Sequence, residues 1–220
     1  MGKAVLVLGS VCWLAGCGWG AHGSASSVTG NIAKIADVRS SFGPEFQVTA
    51  IAPRAIAPAA LGIQKLPDGL RFEPAHCGAL AAGPALPPGL QGNMAAVSAE
   101  GSGNRFVALA VETSAPLPAN EPASDCRKVA FVGGHVRGIT EVIDAPQIAG
   151  AHTSGVHRVL QTIVEGTPRA GELYDYSARF GGYQVIVIAN PLVLQGKPVV
   201  AVDLARAREL LVKAVAAVRS

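Results

Sequence analysis

Four cysteines, five histidines and three tyrosines are the side chains of this sequence best suited to bond, ligate or line a pocket. Cys12 lies within an apolar run from Ala4 to Trp13, and Cys17 follows that run after Leu14-Ala15-Gly16. Cys77 and Cys126 stand apart in the body of the chain. His152 and His157 bracket Thr153-Ser154-Gly155, and His135 follows Gly133-Gly134. These three could converge on a metal, but partners at ligand spacing are missing, so they read as surface or satisfied histidines and no metal or other cofactor is expected. Ser102 sits between glycines in a turn with no base to activate it. No Gly-x-Ser-x-Gly elbow, P-loop, post-strand GxGxxG or HExxH is present, so no catalytic residue is expected. Glu165, Glu172 and Asp175 suggest acid–base carboxylates, yet strand alternation puts Glu172, Tyr174 and Tyr176 on one face and Asp175 on the other, a pattern that reads as a solvated sheet face. Tyr174, Tyr176 and Tyr183 gather on one predicted hairpin. Aromatics grouped in this way can line a pocket, which makes them the candidate ligand-binding residues; ordinary core or edge packing is the competing reading.

The amino terminus has its own logic. Lys3 gives a cationic start, the apolar run is too short to span a bilayer, and small residues precede Cys17, the pattern of an export signal. Leu14-Ala15-Gly16-Cys17 resembles the lipobox of bacterial lipoproteins. The resemblance implies that residues 1–16 are removed and that Cys17 carries acyl chains; an ordinary signal with a coincidental cysteine is the alternative. Two or more acyl chains hold a protein stably on a membrane, so the expected location is the outer face of the cell membrane. With Cys12 discarded and Cys17 lipidated, Cys77 and Cys126 remain in an oxidising setting and are expected to pair as a disulfide. Free thiols or a metal pair involving His76 are the alternatives.

These residues need a scaffold. Half of the 220 residues are hydrophobic, enough for one domain with a proper core, and the net charge of +3 without a basic run argues against nucleic acid. Residues 17–30 are rich in Gly and Ser and read as a flexible tether, leaving 31–220 as the single domain. Asn31 can cap a helix carrying Ile32, Ile35, Ala36 and Val38, which Gly43-Pro44 stops. Strands are expected at 46–50, 95–99, 106–111, 129–132, 139–143, 159–164, 173–180 and 183–189, the last two joined at Gly181-Gly182. Lys65 to Gly92 is loop-rich, with Cys77 on a short turn from Pro74 to Ala82. Asp203 caps a last helix with Leu204, Ala207, Leu211, Ala214, Val215 and Val218 on one stripe. The fold class is α+β: a twisted antiparallel sheet, with N-terminal and C-terminal helices packed on one face and one disulfide.

Several segments carry a further likeness: Pro74-Ala75-His76-Cys77 with Leu80, Pro88 to Gly92, Asp125-Cys126, Ala145-Pro146 with Gly150-Ala151, Thr162 to Gly166, and Glu209 to Arg219. In this order and spacing the chain resembles, over about residues 31–220, a family of small mycobacterial and actinobacterial lipoproteins of uncharacterised function. That domain is similar to the extracellular sensor domain of a mycobacterial receptor serine/threonine kinase. The family's Trp-Gly ahead of the first cysteine falls here on Leu61-Gly62, after Ala57-Pro58, so that aromatic is absent. The resemblance implies a cleft that binds a small ligand, and it transfers no catalytic residue. The expected function is a non-catalytic envelope lipoprotein that senses or carries a small or lipidic ligand. An envelope lipoprotein that presents a sheet face to a protein partner is the alternative.

Overall fold

The computed structural model describes residues 29–56, 66–83, 89–115, 122–164 and 166–220. The expected signal, Cys17, most of the expected tether, the Ala57-Pro58 and Leu61-Gly62 positions and Glu165 lie outside the described residues.

Ten residues from Ile32 to Ser41 form a 3-10 helix, whose Asn31 cap accepts a hydrogen bond from the Ala33 amide. A 3-10 helix has three residues per turn, so side chains three apart line up. Its buried residues, Ile32, Ile35 and Val38, have that spacing. Nine strands follow: β1 Phe46–Ala55, β2 Arg71–Glu73, β3 Gly92–Gly101, β4 Asn104–Thr113, β5 Lys128–Gly133, β6 Val136–Ile143, β7 His152–Val164, β8 Thr167–Phe180 and β9 Tyr183–Pro191. They form one antiparallel sheet in the order β1-β3-β4-β9-β8-β7-β6-β5-β2. A one-turn 3-10 helix, Ala75–Cys77, runs into a short α-helix, Gly78–Ala82, and an α-helix at Leu204–Arg219 ends the chain. Asp203 caps that last helix by accepting from the Arg206 amide at 2.9 Å.

Both terminal helices pack on one sheet face. Alternate residues Ala95, Val97, Ala99, Phe106, Ala108, Ala110, Val185, Val187 and Ala189 meet Ile35 and the stripe of Leu210, Leu211, Ala214, Val215 and Val218. The alanines let the helix backbones approach closely, and apolar burial here is the main source of stability.

The opposite face carries two separate apolar clusters. Met94, Ala96, Leu109, Val111 and Ile186 form one, over β3, β4 and β9. The other joins Cys77, Leu80 and Ala81 to Cys126, Val129 and Phe131 beside β5. Cys77 and Cys126 are bonded, which fastens the short helices to the chain entering β5.

Candidate functional site

Strand register places a polar strip between these two clusters. Ser154 pairs with Ser177, Val156 with Asp175, and Arg158 with Leu173 across β7 and β8, while Thr140 of β6 lies opposite Arg158. Side chains alternate between faces, so Ser154, Arg158, Asp175, Ser177 and Thr140 all point away from the terminal helices. The Ser154 and Ser177 hydroxyls are 2.9 Å apart and hydrogen-bonded. Arg158 is only 4% exposed and donates from Nη2 to the Ala81 carbonyl at the end of the short helix. Its Nε and Nη1, and the hydroxyl of the fully buried Thr140 beside it, have no hydrogen-bond partner among the described residues. Buried polar groups of this kind are costly unless something satisfies them.

Asp175 sits one diagonal step from Arg158. Its side chain keeps some solvent contact but is closely ringed by protein, and burial pushes its carboxyl up to about 6, with the Arg158 charge partly opposing. Burial likewise lowers Arg158, and Asp175 opposes that shift. Desolvation outweighs attraction for both groups, as expected where a charge pair is drawn out of water.

A pH dependence follows. The folded carboxyl titrates near 6, above its ordinary 3.8, so between these values the unfolded chain has lost a proton that the folded one keeps. Stability from this group is therefore fully present below about pH 4 and is lost as pH rises to about 6, by about 2–3 kcal/mol. Denaturant unfolding of wild type and Asp175→Asn at several pH values checks this. The stability difference, wild type minus variant, falls across that window, and a flat difference refutes the shift.

Ser154 also lines a cleft of about 300 Å³ at the ends of β6 and β7, together with Val142, His152, Arg127 and Gln147. The loop from Asp144 to Ala151 forms part of its wall and is tied to the C-terminal helix. Arg208 donates to the Asp144 carbonyl, and Arg219 donates to the carbonyls of Ala149 and Gly150, both at 2.8 Å. Arg219 also lies over the Phe180 ring, 4.4 Å from its centre.

All three tyrosines belong to or pack against the helix-covered core, and none of them lines the cleft at the ends of β6 and β7. Tyr176 is 2% exposed in that core, because its strand position faces the terminal helices. Burial raises its hydroxyl's pKa, with Arg208 opposing. Tyr183 stacks on Phe180 at 5.8 Å, and a side chain at Gly30 would meet its ring at 3.2 Å. Tyr174 stacks on His157 at 4.3 Å and donates to Glu172 at 2.7 Å, and Glu172 also bonds His157 at 2.9 Å. Burial, then the Glu172 bond, pushes Tyr174 up to about 12. The predicted alternation is correct, but this side of β8 is a packed face, with Glu172 half-buried in the His157–Tyr174 network.

The histidines do not converge either. His135 accepts from the Ile163 amide through its carbonyl, near one end of β7, whereas His152 opens the other end. His76 bonds Asp125 at 2.9 Å, which lowers the carboxyl's pKa. His76, Cys77 and Cys126 place possible ligand atoms within 4.8 Å of one another, yet the two sulfurs are spent in the disulfide and offer no thiolate.

Sequence reasoning missed Arg158 and Thr140. The usable signal was an arginine set between alternating apolar residues, Val156 and Leu160.

No curated protein matches the chain. It is similar to the crystal structure of an uncharacterized protein from Mycobacterium smegmatis, the Rv0999 ortholog. The two are 55% identical, with a TM-score of 0.83, over 87% of this chain and 98% of that one. The extracellular domain of PknH from Mycobacterium tuberculosis is 12% identical, with a TM-score of 0.34, over 87% of this chain and 94% of that one. A family model for a domain of unknown function, DUF5642, matches residues 31–219, and the chain belongs to that family.

Proposed function

We propose that the protein is a lipid-anchored, non-catalytic envelope protein that binds a small ligand, with an apolar body and a polar group, over the strip between the two apolar clusters. The observation that carries this reading is the unspent hydrogen-bonding capacity of Arg158 and Thr140, set side by side at the base of that strip. Apolar walls with a few placed polar groups are the usual make-up of a ligand site. The clusters of Met94, Leu109 and Ile186 on one side of the strip and of Leu80 and Phe131 on the other are apolar, so an acyl or isoprenoid body suits their edges better than a sugar. The Cys77–Cys126 bridge suits an oxidising compartment outside the membrane. Among the described residues no helix is long and apolar enough to cross a membrane, so in this reading attachment depends on Cys17.

Native mass spectrometry of the protein purified from its own host tests the proposal. The expected spectrum has a small molecule retained by wild type and lost from Arg158→Met. Ligand-free spectra for both proteins overturn the binding reading. Incorporation of labelled palmitate, abolished by Cys17→Ala, tests the anchor separately.

A second reading has one observation in its favour. Beyond the terminal helices the same sheet face leaves Val132 47% and Ile139 41% exposed, a surface on which a protein partner could seat. Crosslinking in the host that traps a partner at Val132, from protein that retains no ligand, favours this reading.

A further inference from the structure

Four of the eight exposed large hydrophobic side chains among the described residues fall in one connection, between β9 and the C-terminal helix: Val193 at 70%, Leu194 at 46%, Val199 at 57% and Val200 at 47%. This connection is held in place at both ends. The Leu192 amide donates to the Gly103 carbonyl at 2.8 Å, and the Asn104 side chain donates to the Ala201 carbonyl at 3.2 Å. The same side chain accepts from the Asp203 amide at 2.7 Å. Val200 rests against Gly103, where an added Cβ would come within 2.6 Å of it. Between these ties the backbone folds into a turn, with the Lys197 amide donating to the Leu194 carbonyl at 3.1 Å and Gly196 at φ +72°. The turn therefore lifts Val193, Leu194 and Val199 outward on a braced frame. From Pro191 to Val202 the only charged residue is Lys197. Apolar side chains presented in this way on an otherwise well-packed protein call for an apolar partner.

We propose that this turn docks into a lipid surface, with Val193, Leu194 and Val199 entering the headgroup boundary and Lys197 meeting anionic headgroups. A narrow turn offers far less than the ~800 Å² per partner of a stable protein interface, whereas a lipid surface requires no matching shape. The chain geometry agrees, resting here on the lipid-anchored reading above. The Asn31 amide bonds the Val218 carbonyl, so the tether leaves from the C-terminal end of the last helix, while the turn lies near its start at Leu204. That helix is about 24 Å long, and residues 17–30 can reach up to ~48 Å when extended. Anchor and turn can thus engage one bilayer together, with the domain held against the membrane at two points.

Vesicle flotation tests the docking without the anchor. Residues 31–220 suffice as the probe, because the solved relative is matched over 98% of its length by 87% of this chain and so folds without the amino-terminal segment. Vesicles of phosphatidylcholine and phosphatidylglycerol in equal parts are expected to float the wild-type domain. Val193→Asp with Leu194→Asp lowers the partition coefficient roughly tenfold or more, at an unchanged melting temperature. Ile163→Asp, an exposed apolar residue elsewhere, leaves partitioning unchanged. Absence of flotation by wild type, or equal flotation by the double variant, overturns the proposal while leaving the Cys17 labelling test untouched. A wild-type dimer dissolved by the double substitution, with flotation unaffected, assigns the turn to a second copy instead and also overturns it.

Discussion

Replacing Cys77 and Cys126 together by alanine lowers the stability of the domain by about 2–5 kcal/mol. The bridge spans 49 residues, so its loss restores considerable freedom to the unfolded chain. The folded state loses a fastening as well. A five-residue helix cannot hold its shape alone, and Gly78–Ala82 depends on Leu80 and Ala81 packing against Val129 and Phe131. The effect also reaches the candidate site, because Arg158 spends its Nη2 on the Ala81 carbonyl. Urea unfolding measures the loss, and hydrogen exchange localises it. Leu80 and Ala81 exchange faster in the double variant, while Val185 and Val187, under the terminal helix, remain protected by comparison. An unchanged urea midpoint refutes the prediction.

The sheet was legible in the sequence where local chemistry decides it. Gly181-Gly182 turns β8 into β9, Asn31 and Asp203 cap the terminal helices, and the helix expected on Ile32, Ile35, Ala36 and Val38 is present, wound as a 3-10 helix that buries Ile32, Ile35 and Val38. The starts of β7 and β8 were less legible, for the strands expected from 159 and 173 begin at His152 and Thr167. His152, Thr153, Ser154 and Gly155 open β7 and Thr167 to Glu172 open β8, and neither stretch carries an apolar alternation that marks a strand. β2 was missed because Arg71–Glu73 is three residues long and gains its identity only by pairing with β5. The site was the least legible part. Thr140, Arg158 and Asp175 lie on three strands, and only the register of β6 on β7 and β7 on β8 brings them together. The cluster of Met94, Leu109 and Ile186 comes beside the strip only because β9 inserts between β4 and β8, and its pairing with β4 is a long-range one that no local pattern encodes.

Tyr176→Ala costs about 3–5 kcal/mol, the range for deleting a large buried aromatic ring. Tyr176 is the largest side chain of the fully buried set, and no water can fill the space its ring leaves among Ala178, Val187 and the terminal helix without meeting apolar walls. Gly155 on β7 marks the fit from the other side. A Cβ there would stand 3.2 Å from the ring and 2.8 Å from the Ile143 carbonyl, so the glycine is the space the tyrosine occupies. Tyr176→Phe keeps the ring and loses only the hydroxyl beside Arg208, so its cost is about 1 kcal/mol. Thermal and urea unfolding separate the two variants, and an alanine variant as stable as wild type refutes the core assignment. Because the ring faces the helices and the strip faces away from them, Tyr176→Phe also leaves retention of a bound ligand intact, whereas Arg158→Met abolishes it. If both substitutions release the ligand, it contacts the helix side of the sheet and the strip between the apolar clusters is not its seat.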